Sequence, residues 1–174
     1  MNQAAYDAIQ NAWTITVKAR ALCPYLGDTA VGKSGYMSAD WYLDRGAVYF
    51  VNLATPVTLG DVKELRKIAS FINRSFVISM AASLEEHGVV PYRGTPDSSK
   101  AGGKHAVLTK RLRNHFAHGE WEMDVAKPKH LRTRRLLEEL FPSGAAEGPG
   151  FVISINTVLD PLKEGVLEYI YAAT

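Results

Sequence analysis

Arg113 and His118 are the residues of this chain whose types and spacing are best suited to chemistry. They stand in the string Arg-Leu-Arg-Asn-His-Phe-Ala-His-Gly-Glu, in which Asn114 directly follows the second arginine. A histidine titrates near neutral pH and can take or give a proton. An arginine keeps its charge and offers a planar fork of donors to phosphate oxygens. The pair therefore favours proton transfer at a phosphate ester.

The spacing of these residues also constrains how a site is built. Residues five apart on a helix are separated by about 140° around its axis, at ~100° per residue. Arg113 and His118 thus do not share a face, whereas Asn114 and His118 do, with Arg111 and His115 beside them. A composite site forms more easily where two copies of the helix meet across a two-fold axis, the commonest symmetry of oligomers. We therefore predict a homodimer whose cleft holds the Arg113–His118 sets of both subunits.

Basic residues are concentrated around this motif. Between positions 100 and 135 lie ten of the twenty lysines and arginines but only three acidic residues, although the net charge of the chain is only +2. Four of the five histidines lie in the same window. Such a local excess is typical of a phosphate-facing surface and equally of a solvated helix face.

Helical periodicity places the motif at the end of the third of five predicted helices. Apolar residues recur three or four positions apart in residues 3–22, 60–87, 104–118, 128–140 and 157–172. The second segment is apolar nearly all round, which predicts the central helix of a bundle. We therefore predict an all-α fold, an antiparallel bundle of about five helices, in a single domain spanning residues 1–174.

The rest of the chain includes a long irregular segment, residues 24–56, which reads as an insertion. Strand-like runs at residues 47–53 and 151–155 are expected to pair as a short two-stranded ribbon. Residues 27–34, Gly-Asp-Thr-Ala-Val-Gly-Lys-Ser, fit the P-loop pattern. A working P-loop needs a strand before it and a helix after it. Pro24 and the weak helix character after Ser34 argue against nucleotide binding there.

Composition and hydropathy narrow the class of protein. Apolar residues make up 47% of the chain and charged residues 22%, which is typical of a globular protein. The longest apolar stretch, about residues 76–84, is far too short to span a bilayer, so no membrane partner is expected. The N-terminus lacks a secretion-signal pattern, and the single cysteine, Cys23, fits a reducing compartment. We therefore expect a cytoplasmic protein.

The motif and its surroundings resemble the HEPN superfamily. Arg113, Asn114 and His118 match the Arg-Asn-x-x-x-His signature of HEPN domains, which lies near the end of a bundle helix. Residues 74–85 resemble the preceding helix of that superfamily, which often ends in an acid, here Glu85. The tail, with its closing Tyr-rich helix, is similar to some members. The resemblance covers about residues 61–174 and does not extend to the segment 24–56.

This resemblance implies a metal-independent RNA endonuclease that cleaves by attack of the substrate's own 2′-hydroxyl, with no cofactor. It implies paired motifs in a cleft between protomers and a role in toxin–antitoxin systems or antiviral defence. His118 would act as general acid/base, Arg113 would clamp the scissile phosphate, and Asn114 would orient His118 or the phosphate through its amide. The other candidates are a supporting acid and three groups for flanking phosphates: Glu85, Lys110, Arg111 and His115.

Other interpretations stay open. The same basic cleft fits a non-catalytic HEPN module that binds RNA, a nucleotide or a partner protein, since fold does not fix function. His115, His118, Glu120 and His130 have the donor atoms of a metal site, but no further ligands are evident and we expect no metal. Candidate partners besides RNA are an antitoxin or a nucleotidyltransferase. Members regulated by the latter often carry tyrosine where Glu120 stands, which argues against tyrosine modification here.

Overall fold

The computed structural model describes residues 1–23, 28–38, 50–120, 124, 126–142 and 154–173. Five α-helices dominate these residues: α1 (Gln3–Leu22), α2 (Leu59–Glu86), α3 (Gly103–Ala117), α4 (Pro128–Leu140) and α5 (Asp160–Ala172). Two short strands accompany them: β1 (Gly35–Ser38) and β2 (Phe50–Leu53). The prediction of an all-α fold with a short ribbon is confirmed. None of the described helices is long and apolar enough to cross a membrane.

The ribbon is formed by a different pair of segments from the one predicted. β1 and β2 are antiparallel, with Gly35 opposite Leu53. The run at 151–155 was expected to be the partner of β2, but its last residue begins a π-helical turn, Ile155–Leu159. Residues 151–153, like residues 47–49, lie outside the described residues. Pairing with β1 closes a much shorter loop, which has a lower entropic cost.

Contacts divide the described residues into two compact units, residues 1–12 with 73–174 and residues 13–72. The motif belongs to the first unit, in which α3 contacts both α4 and α5. Leu108, Leu112 and Phe116 recur every four positions and form the buried stripe of α3. Because this stripe faces the core, the polar residues between its members are left at the sides and end of the helix.

Two glycines allow α3 and α5 to approach each other closely. Gly102, which caps the start of α3, has φ +68°, and a Cβ atom there would clash with the carbonyl oxygen of Gly165. A Cβ atom at Gly165 would in turn clash with the ring of His105. Since neither position has room for a side chain, these glycines set the distance between the two helices.

In the second unit, the P-loop-like string leads into a strand. Asp28–Ala30 forms a short 3₁₀ turn, and β1 begins directly after Ser34. The N–H of Gly32 donates to the carbonyl of Val57, and the N–H of Val57 donates to the carbonyl of Lys33. A P-loop needs a helix after the string to hold phosphates, and within residues 28–38 a strand occupies that position.

Candidate functional site

His118 lies at the end of α3 because a glycine turn stops the helix there. Gly119 has φ +67°, a left-handed conformation that favours glycine. The N–H of Glu120 donates to the carbonyl of His115 (2.9 Å), and the N–H of Gly119 donates to that of Phe116 (3.1 Å). This pair of hydrogen bonds is the Schellman pattern of helix ends. His118 is the C-cap residue, directly after the last residue of α3, and its side chain is exposed.

Arg113 is held at the side of α3 by an acid from α2. Its Nη2 lies 2.9 Å from Oε2 of Glu85, and Nζ of Lys110 lies 3.1 Å from Oε1 of the same carboxylate. Only 8% of the Glu85 side chain is exposed, against 26% for Arg113. Arg113 also donates from Nη1 to Oδ1 of Asn114, at 3.0 Å. The structure therefore brings the predicted Glu85, Lys110 and Arg113 together as one charged group.

A cleft of about 520 Å³ opens beside the helix end. It is lined by polar and charged side chains from α3, the following turn and α4: Arg111, Asn114, His115, His118, Glu120, Lys129, Arg132 and Thr133. Arg113 and Lys110 are not part of this lining. Residues three apart share a helix face, so both of these reach Glu85 on another side of α3. The predicted site residues thus separate into a cleft group and a Glu85 group.

Glu120 connects the turn after His118 to α4. Its two carboxylate oxygens accept hydrogen bonds from Nζ of Lys129, at 2.8 and 3.1 Å. Its Oε2 also lies 2.8 Å from Nδ1 of His115 and 3.3 Å from Nε2 of His130. The hydrogen bonds from Lys129 and then His115 lower the pKa of Glu120 to about 2. The carboxylate therefore stays ionised and holds the turn in place.

His115 is buried between this carboxylate and α4. Its Nε2 lies 3.1 Å from Oγ1 of Thr133, and its ring meets that of His130 edge-on with 4.5 Å between centroids. Burial lowers the pKa of His115, an effect that the hydrogen bond with Glu120 only partly opposes. If Nδ1–H of the neutral ring donates to Glu120, Nε2 is left as an acceptor that competes for the Thr133 hydroxyl proton with the backbone carbonyl of Lys129, which lies 2.9 Å from Oγ1. Internal contacts thus engage both ring nitrogens of a residue predicted to bind phosphate.

The same cluster has the donor set of a metal centre. One ligand atom each from His115, Glu120 and His130 lie within 4.8 Å of one another, and His118 is outside this group. Two contacts oppose metal binding in this arrangement. The Lys129 ammonium already contacts both carboxylate oxygens. The N–H of Asp124 donates to Nδ1 of His130, so the neutral ring carries its proton on Nε2, the atom a metal would need. The cluster therefore acts here as a hydrogen-bonded link.

Two arginines of the cleft, Arg111 on α3 and Arg132 on α4, are joined by a hydrogen bond from a side chain to the backbone. Nη1 of Arg111 donates to the backbone carbonyl of Arg132, at 3.1 Å. Burial, and then the positive charge of Arg132, lower the pKa of Arg111. Arg111 keeps its charge because the guanidinium pKa starts far above neutrality. This part of the cleft therefore concentrates positive charge.

The contribution of α4 to the cleft was not predicted from the sequence. Lys129, Arg132 and Thr133 were not among the predicted site residues, and His130 was considered only as a metal ligand. A signal was present, since Lys129 and Arg132 lie three apart inside the basic window and so share a helix face. What the sequence lacked was the information that this face meets the end of α3.

Comparisons of the chain with protein-family models, with curated proteins and with solved structures give no match. The likeness to HEPN domains therefore rests on the sequence resemblance of about residues 61–174 alone.

Proposed function

We propose that this chain is a HEPN-type, metal-independent RNA endonuclease. The observation that carries the proposal is the cleft at the end of α3, which places His118 and Asn114 beside the cationic Arg111, Lys129 and Arg132. A histidine at the edge of a basic cleft has the two properties that cleavage of a phosphodiester requires. It can move a proton near neutral pH, and its surroundings attract the anionic strand.

In the proposed reaction, the 2′-hydroxyl of the RNA attacks the adjacent phosphorus. A general base removes the hydroxyl proton, the bond to the 5′-oxygen breaks, and a general acid protonates that oxygen. The products are a 2′,3′-cyclic phosphate and a 5′-hydroxyl. DNA is not a substrate because it lacks the nucleophile. In the proposed homodimer, His118 of one subunit takes up the hydroxyl proton and returns it to the leaving oxygen as general acid/base, and Arg113 of the other subunit completes the composite site.

Arg113 contributes to this proposal through its neighbours. Its hydrogen bond to Oδ1 of Asn114 leaves the Asn114 amide N–H groups as the free donors of that side chain. Together with Lys110 and Glu85, it forms a group with one positive charge in excess. We propose that this group stabilises the negative phosphorane from the side of the helix and directs the Asn114 amide toward it.

The proposed setting is a cytoplasmic toxin–antitoxin or antiviral system, in which an antitoxin or a nucleotidyltransferase restrains the nuclease. Glu120 occupies the position of the tyrosine that such transferases modify in similar proteins. Because its carboxylate is engaged by Lys129 and His115, we propose control by a bound partner rather than by modification at this position.

The test is incubation of single-stranded RNA with the wild-type chain, Arg113→Ala and His118→Ala in excess EDTA. We expect the wild type to cleave, and each variant to lose a factor of about 10² or more in rate. His87→Ala and Arg134→Ala are matched controls, since both residues lie outside the cleft lining, and should retain the wild-type rate. Cleavage that disappears in EDTA, or that survives in His118→Ala, would contradict the mechanism.

One observation favours the alternative of a non-catalytic module that binds RNA. Glu85 partly compensates the positive charge of the motif arginine, which leaves less of that charge to stabilise a transition state. In the same experiment, this alternative predicts retention of RNA without any cleavage by the wild type.

A further inference from the structure

The basic residues of the first unit differ in whether a carboxylate accompanies them. Six of them are paired within the described residues: Lys104 with Glu139, Lys110 and Arg113 with Glu85, Lys129 with Glu120, Arg134 with Glu138, and Lys163 with Asp160 and Glu164. Arg111 and Arg132 are different. Among the described residues, neither has a carboxylate within ion-pair distance, although both line the cleft.

A contact between Arg111 and Arg132 adds to this contrast with the basic residues that have a carboxylate partner. Nη1 of Arg111 donates to the backbone carbonyl of Arg132, and the positive charge of Arg132 is close enough to lower the pKa of Arg111. Like charges held together are unfavourable, and the arrangement relaxes when an anion enters. Two planar forks of donors, carried by separate helices, match the oxygens of a phosphodiester.

We infer that Arg111 and Arg132 form a phosphodiester-binding subsite within one protomer, which holds the RNA strand beside His118. This inference rests on the proposed function for the identity of the strand but not for the anion site itself. It assigns strand binding to a pair of residues outside the Arg-Asn-x-x-x-His motif. Arg113 is assigned to the step after binding, the stabilisation of the phosphorane. Removal of Arg111 or Arg132 should therefore weaken binding, whereas removal of Arg113 should leave binding nearly unchanged.

Inorganic phosphate is the first probe. Its binding to the full chain is monitored by NMR, through the arginine side-chain and backbone amide signals. We expect the wild type to show saturable shifts at the end of α3 and the start of α4. Arg132→Ala should weaken phosphate binding about tenfold, the loss expected for one charge-assisted contact. Arg134→Ala is the matched control on the same helix, because that arginine is paired with Glu138; it should bind within twofold of the wild type. Equal weakening by both variants would overturn the inference.

A charge reversal separates binding from folding. Arg132→Glu places a carboxylate beside Arg111, so the new pair should raise or preserve the melting temperature while phosphate binding disappears. Arg132 is exposed, and the substitution creates no cavity. Loss of binding in a well-folded variant supports the subsite. Phosphate shifts that persist at the wild-type concentration in Arg132→Glu would contradict it, and shifts without saturation would identify an adventitious ion only.

The second probe is a short single-stranded RNA and a DNA of the same sequence, with binding measured against salt concentration. Arg111→Ala and Arg132→Ala should each lower affinity about tenfold and reduce the salt slope by about one. Arg113→Ala should bind within threefold of the wild type. If phosphate and both strands bind as expected but the wild type never cleaves RNA, the nuclease proposal fails and the subsite stands. If RNA is cleaved and bound normally by Arg111→Ala and Arg132→Ala, the subsite fails and the nuclease proposal stands.

Discussion

Glu85 determines what the motif arginine can do. It is the least exposed member of its charged group, at 8%, and it holds Arg113 and Lys110 at the same time. The charge of Arg113 is thereby partly compensated, while its remaining N–H contact orients Asn114. A residue of α2 thus controls the electrostatics of a motif carried by α3.

Replacement of Glu85 by glutamine tests this control. The substitution leaves two cations without their carboxylate in a mostly buried place, so we expect the free energy of unfolding to fall by about 1–3 kcal/mol. RNA affinity should rise several-fold because the released positive charge attracts the strand. Urea denaturation and RNA titration measure the two effects. Glu86→Gln, at the next and exposed position of α2, is the control and should change neither. A Glu85→Gln variant as stable as this control would contradict the role of the carboxylate.

At the level of elements, the turn after α3 is anchored by contacts to α4. Gly119 ends the helix, and the next residue, Glu120, contacts Lys129, His130 and the preceding turn at His115. The position of His118, between the last turn of α3 and this anchor, is therefore fixed from both sides. Helix α4 contributes to the site by holding the turn and by supplying cations to the cleft.

The contacts by which Glu120 anchors the turn after α3 should weaken in acid. Because the pKa of Glu120 is lowered from 4.5 to about 2 on folding, its stabilising contribution is fully present above pH 4.5. The contribution is lost as the pH falls from 4.5 towards 2. The melting temperature of the wild type should therefore exceed that of Glu120→Gln near neutral pH, and the difference should shrink on acidification. Glu138→Gln, which removes an exposed pair on α4, should show little difference at any pH. A difference in melting temperature between the wild type and Glu120→Gln that grows in acid would contradict this role of Glu120.

For the whole molecule, the separation of the two groups of site residues matters most. His118 lines the cleft, whereas Arg113 faces Glu85. A single copy of α3 therefore does not direct both motif residues into one cleft. This geometry agrees with the helical spacing, and it supports the proposal that a second copy completes the site.

A mixing experiment tests the proposed homodimer. Arg113→Ala and His118→Ala are co-expressed so that their subunits can combine. The resulting heterodimers should retain one His118 and one Arg113, each on a different subunit. We expect the mixture to cleave RNA about tenfold faster than either variant alone. Light scattering should give a mass twice the 19.1 kDa of the chain. A monomeric mass would contradict the dimer. So would a mixture that cleaves RNA no faster than the mean rate of the two variants measured separately.

Much of the fold was available from the sequence because helices depend on neighbours close in the chain. The stripe of Leu108, Leu112 and Phe116 predicted α3, and Gly119 predicted its end. The separation of Arg113 from His118 around the axis also followed from helix geometry alone. These features need only the local periodicity and the conformational preferences of single residues.

The tertiary structure decided which side chains meet, because contacts between distant segments depend on the packing of whole helices. It paired Glu85 with Arg113 across 28 positions of chain and brought Arg132 to Arg111 across 21. It joined β2 to β1 rather than to the run near residue 155, and it placed His115 in a buried link instead of an open binding surface. Charge counts along the sequence located a basic window, but only the arrangement of α2, α3 and α4 separated its compensated cations from those that are left for a ligand.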